Sequence, residues 1–136
     1  MTTYESKIQM LTCDAATAFG QLSDLRNLEK YKNLIPQDKL QDLEFEEDAC
    51  RFSVAPVGRV ELKIVDREAP KTIKFGAENS PVAFNLWIQL VQLAEGSKMK
   101  ITLKADLPLM IKTMIGGKLQ DAVDKMADAI AHALNK

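Results

Sequence analysis

Between Leu40 and Leu103 the chain carries six short runs in which apolar and polar residues alternate, each closed by charged or turn-forming residues. A period of two sends successive side chains to opposite faces of an extended chain, so each run buries one face and needs partners along its edges. The separators are short enough for hairpins, so consecutive runs pair antiparallel. The first run spans Leu40 to Glu46, and the acidic Glu46-Glu47-Asp48 forms an exposed hairpin tip before the second, Cys50 to Ala55. Pro56 and Gly58 mark the next turn. Val60, Leu62 and Ile64 share one face of the third run, and Ala69-Pro70-Lys71 divides it from the fourth, where Ile73, Phe75 and Ala77 alternate with Lys74 and Gly76. Beyond Ser80-Pro81 the fifth sets Phe84, Leu86, Ile88 and Leu90 on one face. After the Glu95-Gly96-Ser97 turn the sixth sets Met99, Ile101 and Leu103 there, against Lys98, Lys100 and Lys104.

Ahead of these runs, Tyr4 to Leu11 alternates as a first strand, with Ser6, Ile8 and Met10 on one side and Glu5, Lys7 and Gln9 on the other. Asp14 is placed to cap a short helix through Ala15, Ala16, Ala18 and Phe19. Ser23 or Asp24 is placed to cap a second, carrying Leu25, Leu28 and Tyr31, which Pro36 closes. After the last run Pro108 suits the start of a helix, where its missing amide donor costs nothing. From there Ile111, Ile115, Leu119, Ala122, Met126, Ala129, Ile130 and Ala133 form an apolar stripe, with Asp121, Asp124, Lys125 and Asp128 opposite. A helix of about 25 residues extends about 38 Å, enough to cross the whole sheet. Gly116-Gly117 interrupts it, and each glycine costs about 1 kcal/mol against alanine, so either close packing or a hinge compensates.

The 136 residues are 46% apolar, which supports one core and places 1–136 in one domain. With 18 basic against 19 acidic residues and a net charge of -1, neither nucleic acid nor an anionic membrane surface is favoured as a partner. Met1 to Glu5 lacks a basic stretch leading into an apolar one, and no run of about 18 apolar residues occurs, so the expected location is the cytoplasm, without integral membrane association. Cys13 and Cys50 lack the paired spacing of a zinc site and are expected as free thiols.

One strand, two short helices, six antiparallel strands and a long terminal helix is the order of the helix-grip fold. On Tyr4-Glu5-Ser6-Lys7-Ile8, the segment Ala15 to Tyr31, the strand Phe84-Asn85-Leu86-Trp87-Ile88 and the amphipathic tail from Pro108, the chain resembles the SRPBCC superfamily over nearly its whole length. Members include START-like lipid-transfer domains, plant pathogenesis-related ligand binders, aromatic polyketide cyclases and coenzyme Q-binding proteins. The resemblance implies an α+β fold in which a curved antiparallel seven-stranded sheet wraps a long C-terminal helix, with two short helices after the first strand. It further implies an apolar cavity between sheet and helix, opening near the start of that helix. On that geometry Phe52, Val54, Leu62, Ile64, Ile73, Phe75, Phe84, Leu86, Ile88, Met99, Ile101 and Leu103 form the concave wall, and Ile111, Ile115 and Leu119 face them. A solid core fits the same periodicities. Met110 and Met114 lie beside the expected mouth, as gate or as filler.

Catalytic chemistry has little to stand on in this sequence. His132, the single histidine, sits near the chain end on the polar arc, and no metal-ligand cluster or phosphate-binding loop occurs, so no metal and no cofactor are expected. Cys50 follows three acidic residues that raise its pKa, and Cys13 has no nearby histidine. Asp66 extends the face of Leu62 and Ile64 and is the one acid placed for proton transfer, although a solvated strand end accounts for it as well. Trp87 falls on the outer face with Asn85, Gln89 and Thr102. There it marks a partner surface, extended by Val91 and Leu93 to a possible homodimer in an otherwise monomeric protein, or packs under Lys100 or Lys104, or returns to the core through a bulge. The expected function is to bind or carry a small hydrophobic molecule, a lipid, isoprenoid or aromatic metabolite. The alternatives are a cyclase-like enzyme acting on a polyketide-type substrate and a protein-interaction module on the outer face.

Overall fold

Each alternating run becomes a strand. The computed structural model describes residues 2–27, 41–54, 58–78 and 83–135, with the side chains of Val54, Glu78 and Ile115 outside that description. The strands are β1 (Thr2–Glu5), β2 (Gln9–Leu11), β3 (Gln41–Phe45), β4 (Ala49–Val54), β5 (Gly58–Glu68), β6 (Thr72–Glu78), β7 (Phe84–Gln92) and β8 (Ser97–Ala105); the helices are α1 (Ala15–Leu22) and α2 (Leu109–Leu134). One antiparallel sheet runs β1-β8-β7-β6-β5-β4-β3, and β2 also pairs with β8. The expected helix-grip order is thus present, with the long helix following the last strand. Leu28, Tyr31, Pro36, Ala55, Pro56, Ser80 and Pro81 lie outside the described residues; of the expected second helix, residues 25–27 form a single 3-10 turn. Asp24 starts that turn by accepting a hydrogen bond from the Arg26 amide at 3.1 Å.

The expected first strand is broken in two, which makes eight strands of the expected seven. Ser6 turns inward, its amide donating to the Ile101 carbonyl and its hydroxyl oxygen accepting from the Ile101 amide. The Lys7 amide then leaves the ladder and donates to Asp124 of α2 at 3.0 Å. This irregularity changes the phase, so Ile8 and Met10 are exposed while Leu11 is buried.

The phase of the other strands follows the sequence. Val60, Leu62, Ile64, Ile73, Phe75, Phe84, Leu86, Ile88, Leu90, Met99, Ile101 and Leu103 are all buried on the inner face. Each such side chain contributes about 1.5–3 kcal/mol when fully withdrawn from water. α1 closes one end of the sheet through Ala15, Ala18 and Leu22, with Asp14 capping it by accepting from the Thr17 amide at 2.8 Å. That hydrogen bond holds the Asp14 carboxyl below its ordinary pKa.

α2 begins directly after Pro108 and runs unbroken through Gly116-Gly117. A Cβ at Gly116 would lie 3.3 Å from the Tyr4 hydroxyl, a close approach, whereas one at Gly117 would meet nothing within 4 Å, so close packing bears on the first glycine and not on the second. The helix lies nearest β8, β1 and β2. Its Leu119, Val123, Ala127, Ile130 and Ala131 are buried. Along one flank it is tied to the β1–β2 segment by polar side chains: Gln120 donates to the Glu5 carbonyl, Asp124 accepts from the Lys7 amide, and Asp128 accepts from Gln9 at 2.6 Å. Asn135 accepts from the Thr12 amide at 2.8 Å and donates to the Met10 carbonyl at 3.0 Å. These groups satisfy backbone donors and acceptors where the first strand leaves the ladder.

Replacing Asn135 by Ala removes two of these bonds. Urea unfolding should show a loss of about 1 kcal/mol, and hydrogen exchange at the Thr12 amide should accelerate. An unchanged midpoint with unchanged exchange would contradict this seating of the helix.

Candidate functional site

The flank of α2 opposite its hydrogen-bonded flank does not close on the sheet. Two apolar cavities lie there, of about 70 and about 40 Å³. The larger is lined by Leu25 of the 3-10 turn, Leu43 and Phe45 of β3, Cys50 and Phe52 of β4, Leu62, Phe75, Leu86 and Ile88 of the sheet, and Met126, Ala129, Ile130 and Ala133 of α2. The smaller is lined by Phe52, Val60, Leu62, Phe84, Leu86 and Leu103 opposite Leu119, Ala122, Val123 and Met126. Alanine at 122, 129 and 133 presents only a methyl group toward the sheet, which leaves the gap that larger residues would fill.

Among the residues expected to form the wall, Phe52, Leu62, Phe75, Phe84, Leu86, Ile88, Leu103 and Leu119 do line these cavities. Ile64, Ile73, Met99 and Ile101 are buried in the core and line neither of these cavities. Ile111 is half-buried against the core. Met110 and Met114 stand 76% and 58% exposed and belong to neither cavity wall, so the start of α2 is an exposed apolar end rather than part of the lining. The side chains of Val54 and Ile115 lie outside the described residues. The larger cavity is centred on the later half of α2 and on β3 and β4. Its residues Leu43, Phe45, Met126, Ala129 and Ala133 all carry a visible apolar period, but periodicity reports a face and not the gap in front of it.

Asp66 does not extend the Leu62 and Ile64 face. The β5–β6 register shifts between Ile64 and Asp66, and this bulge sets Asp66 opposite Lys74 on the outer face, where it is exposed. No acid from the described chain therefore enters either cavity. The remaining ionisable group is Cys50, and burial pushes its thiol up to about 12; Arg51 opposes that shift and Glu61 adds to it. The direction agrees with the sequence, but enclosure dominates rather than the acidic hairpin tip. Cys13 and Cys50 are both free thiols. Among the described residues no group of three or more His, Cys, Asp or Glu is arranged to hold a metal.

Trp87 is half-buried on the outer face, with the Lys74 and Lys104 ammonium groups 5.5 and 5.6 Å from its ring centroid. Cation–π packing from two sides accounts for its position, with Lys74 taking the place expected of Lys100. No helix among the described residues is long and apolar enough to cross a membrane.

Solved structures share this architecture. A protein of Thermus thermophilus superposes with a TM-score of 0.72 at 13% identity, covering 98% of this chain and 97% of its own. A START superfamily protein from Mycobacterium smegmatis gives 0.65 at 13% identity, over 97% and 96% of the two chains. This is the START-like helix-grip fold. The same fold extends to norcoclaurine synthase from Thalictrum flavum, with a TM-score of 0.69 and 16% identity over 97% of this chain and 85% of that one. No protein-family model and no curated protein matches the sequence.

Desolvation of the partly buried Cys50 lowers its reactivity. With its pKa raised, the thiol holds little thiolate at pH 8. In a Cys13→Ser protein, a water-soluble disulfide reagent should modify native Cys50 more than about 100-fold more slowly than the urea-unfolded chain. A rate within about tenfold of the unfolded one would show that the thiol is not enclosed. Because the folded state raises this pKa above about 8.5, the contribution to stability is complete below that pH and is lost as pH rises toward 12.

Proposed function

We infer that the protein binds a small hydrophobic molecule between the sheet and α2. The observation that supports this most directly is the pair of cavities, whose described walls are hydrocarbon apart from the sulfur atoms of Cys50 and Met126. Such walls discriminate little among apolar ligands, because selectivity comes mainly from polar groups left unpaired by the wrong molecule. Affinity comes from burial, at about 0.8 kcal/mol for each methylene removed from water. The START-like neighbours agree with a ligand-binding use of the fold.

The ligand-free space totals far less than the roughly 300 Å³ at the lower end of small-molecule sites. Binding therefore displaces side chains, and the ligand class is one that fits between adaptable apolar walls: a lipid, isoprenoid or aromatic molecule. With Asp66 outside and Cys50 held as a neutral thiol, the described inner wall offers no acid or base for a cyclase-like step. A carrier or binder fits this lining better than an enzyme does.

Native mass spectrometry of the gently purified protein, followed by organic extraction, tests this reading. The expected result is a discrete apolar adduct, or saturable uptake of a hydrophobic fluorescent probe, reduced at least about tenfold by Ala129→Phe, whose ring occupies the larger cavity. Unchanged probe affinity in a folded Ala129→Phe protein would place binding elsewhere and overturn the proposal.

A further inference from the structure

The two cavities have four residues in common: Phe52, Leu62, Leu86 and Met126. Three of these stand on hydrogen-bonded strands, and Met126 alone comes from the helix. Its neighbours on the same flank, at i−4, i+3 and i+7, are Ala122, Ala129 and Ala133, which reach no further than Cβ. Met126 is thus the one α2 side chain that lines both cavities, lying between a cavity toward Leu119 and a cavity toward Ala133. It is half-buried, unbranched and has three rotatable side-chain bonds, so it moves between rotamers more readily than the facing phenylalanine and leucines.

We propose that Met126 is a movable partition that sets the length of hydrocarbon the protein accepts. This rests on the binding reading above and adds the ligand's shape. With Met126 swung aside, the cavities join into one slot along α2 between Leu119 and Ala133, a stretch of about 21 Å at the helical rise. A slot that narrow and long suits a slender chain rather than a compact ring system. The described walls offer no charged or hydroxyl side chain, so a polar head group stays outside. The ligand class is therefore a single-chain amphiphile, with its chain in the slot.

The test is a series of straight-chain alcohols, from about six to about fourteen carbons, displacing a hydrophobic fluorescent probe from the wild type, Met126→Ala and Met126→Phe. Each added methylene should tighten binding about fourfold until the slot is filled, after which affinity levels off. In Met126→Ala the rise should continue for at least about two further carbons, giving at least a tenfold gain for the longest chains. In Met126→Phe, whose rigid ring holds the partition shut, levelling should come earlier. Either folded variant decides the matter, with circular dichroism confirming the fold. Binding of the alcohols with the same levelling length in all three proteins would overturn the partition while leaving the cavity as a ligand site. Failure of every alcohol and of the probe to bind the wild type would overturn both.

Discussion

The seating of α2 on the β1–β2 segment governs the rest of the structure. Gln120, Asp124, Asp128 and Asn135 recur along one flank of the helix and bond backbone or side-chain groups from Glu5 to Thr12. Hydrogen bonds are directional and apolar contacts are not, so this flank fixes the position of the helix while the buried Leu119, Val123, Ala127 and Ile130 supply most of the burial. A helix held along one side and lined with alanine on the other leaves unfilled space in front of β4–β7. The cavities follow from that asymmetry and not from any special lining chemistry.

The interruption of the first strand serves the same arrangement. Ser6 keeps two bonds to Ile101, and the freed Lys7 amide is met by Asp124. A turn at the other end of β2 completes it: Gly96 adopts a φ of 73°, and a side chain there would strike the Leu11 carbonyl. This backbone approach is open only to glycine, so the β7–β8 turn and the β2 segment are locked together under the end of the helix.

The strands and the long helix were legible because periods of 2 and 3.6 are written directly in residue order. Turn residues such as Gly96 fixed where the runs end, and Asp14 announced its cap. Three features were not legible. The Val65 bulge that turns Asp66 outward leaves no mark in an alternating sequence, since one extra residue reverses every side chain after it. Asp124 and Asp128 read as solvent-facing charges because their partners are groups more than a hundred residues away. That Cys50, Met126 and Ala129 line the larger cavity while Met110 and Met114 line neither is the third, because the distance between a helix and a sheet is set by tertiary contacts.

The central claim is that apolar ligands enter the space between α2 and the sheet. Methyl-labelled protein titrated with a hydrophobic probe, followed by nuclear magnetic resonance, tests it residue by residue. The account predicts saturable shifts and probe contacts at the methyl groups of Met126, Ala129, Ala133 and Leu86, which line the cavities. Changes confined to Met110 and Met114 at the exposed start of the helix, or to Ile8 and Val91 on the outer surface, would contradict it.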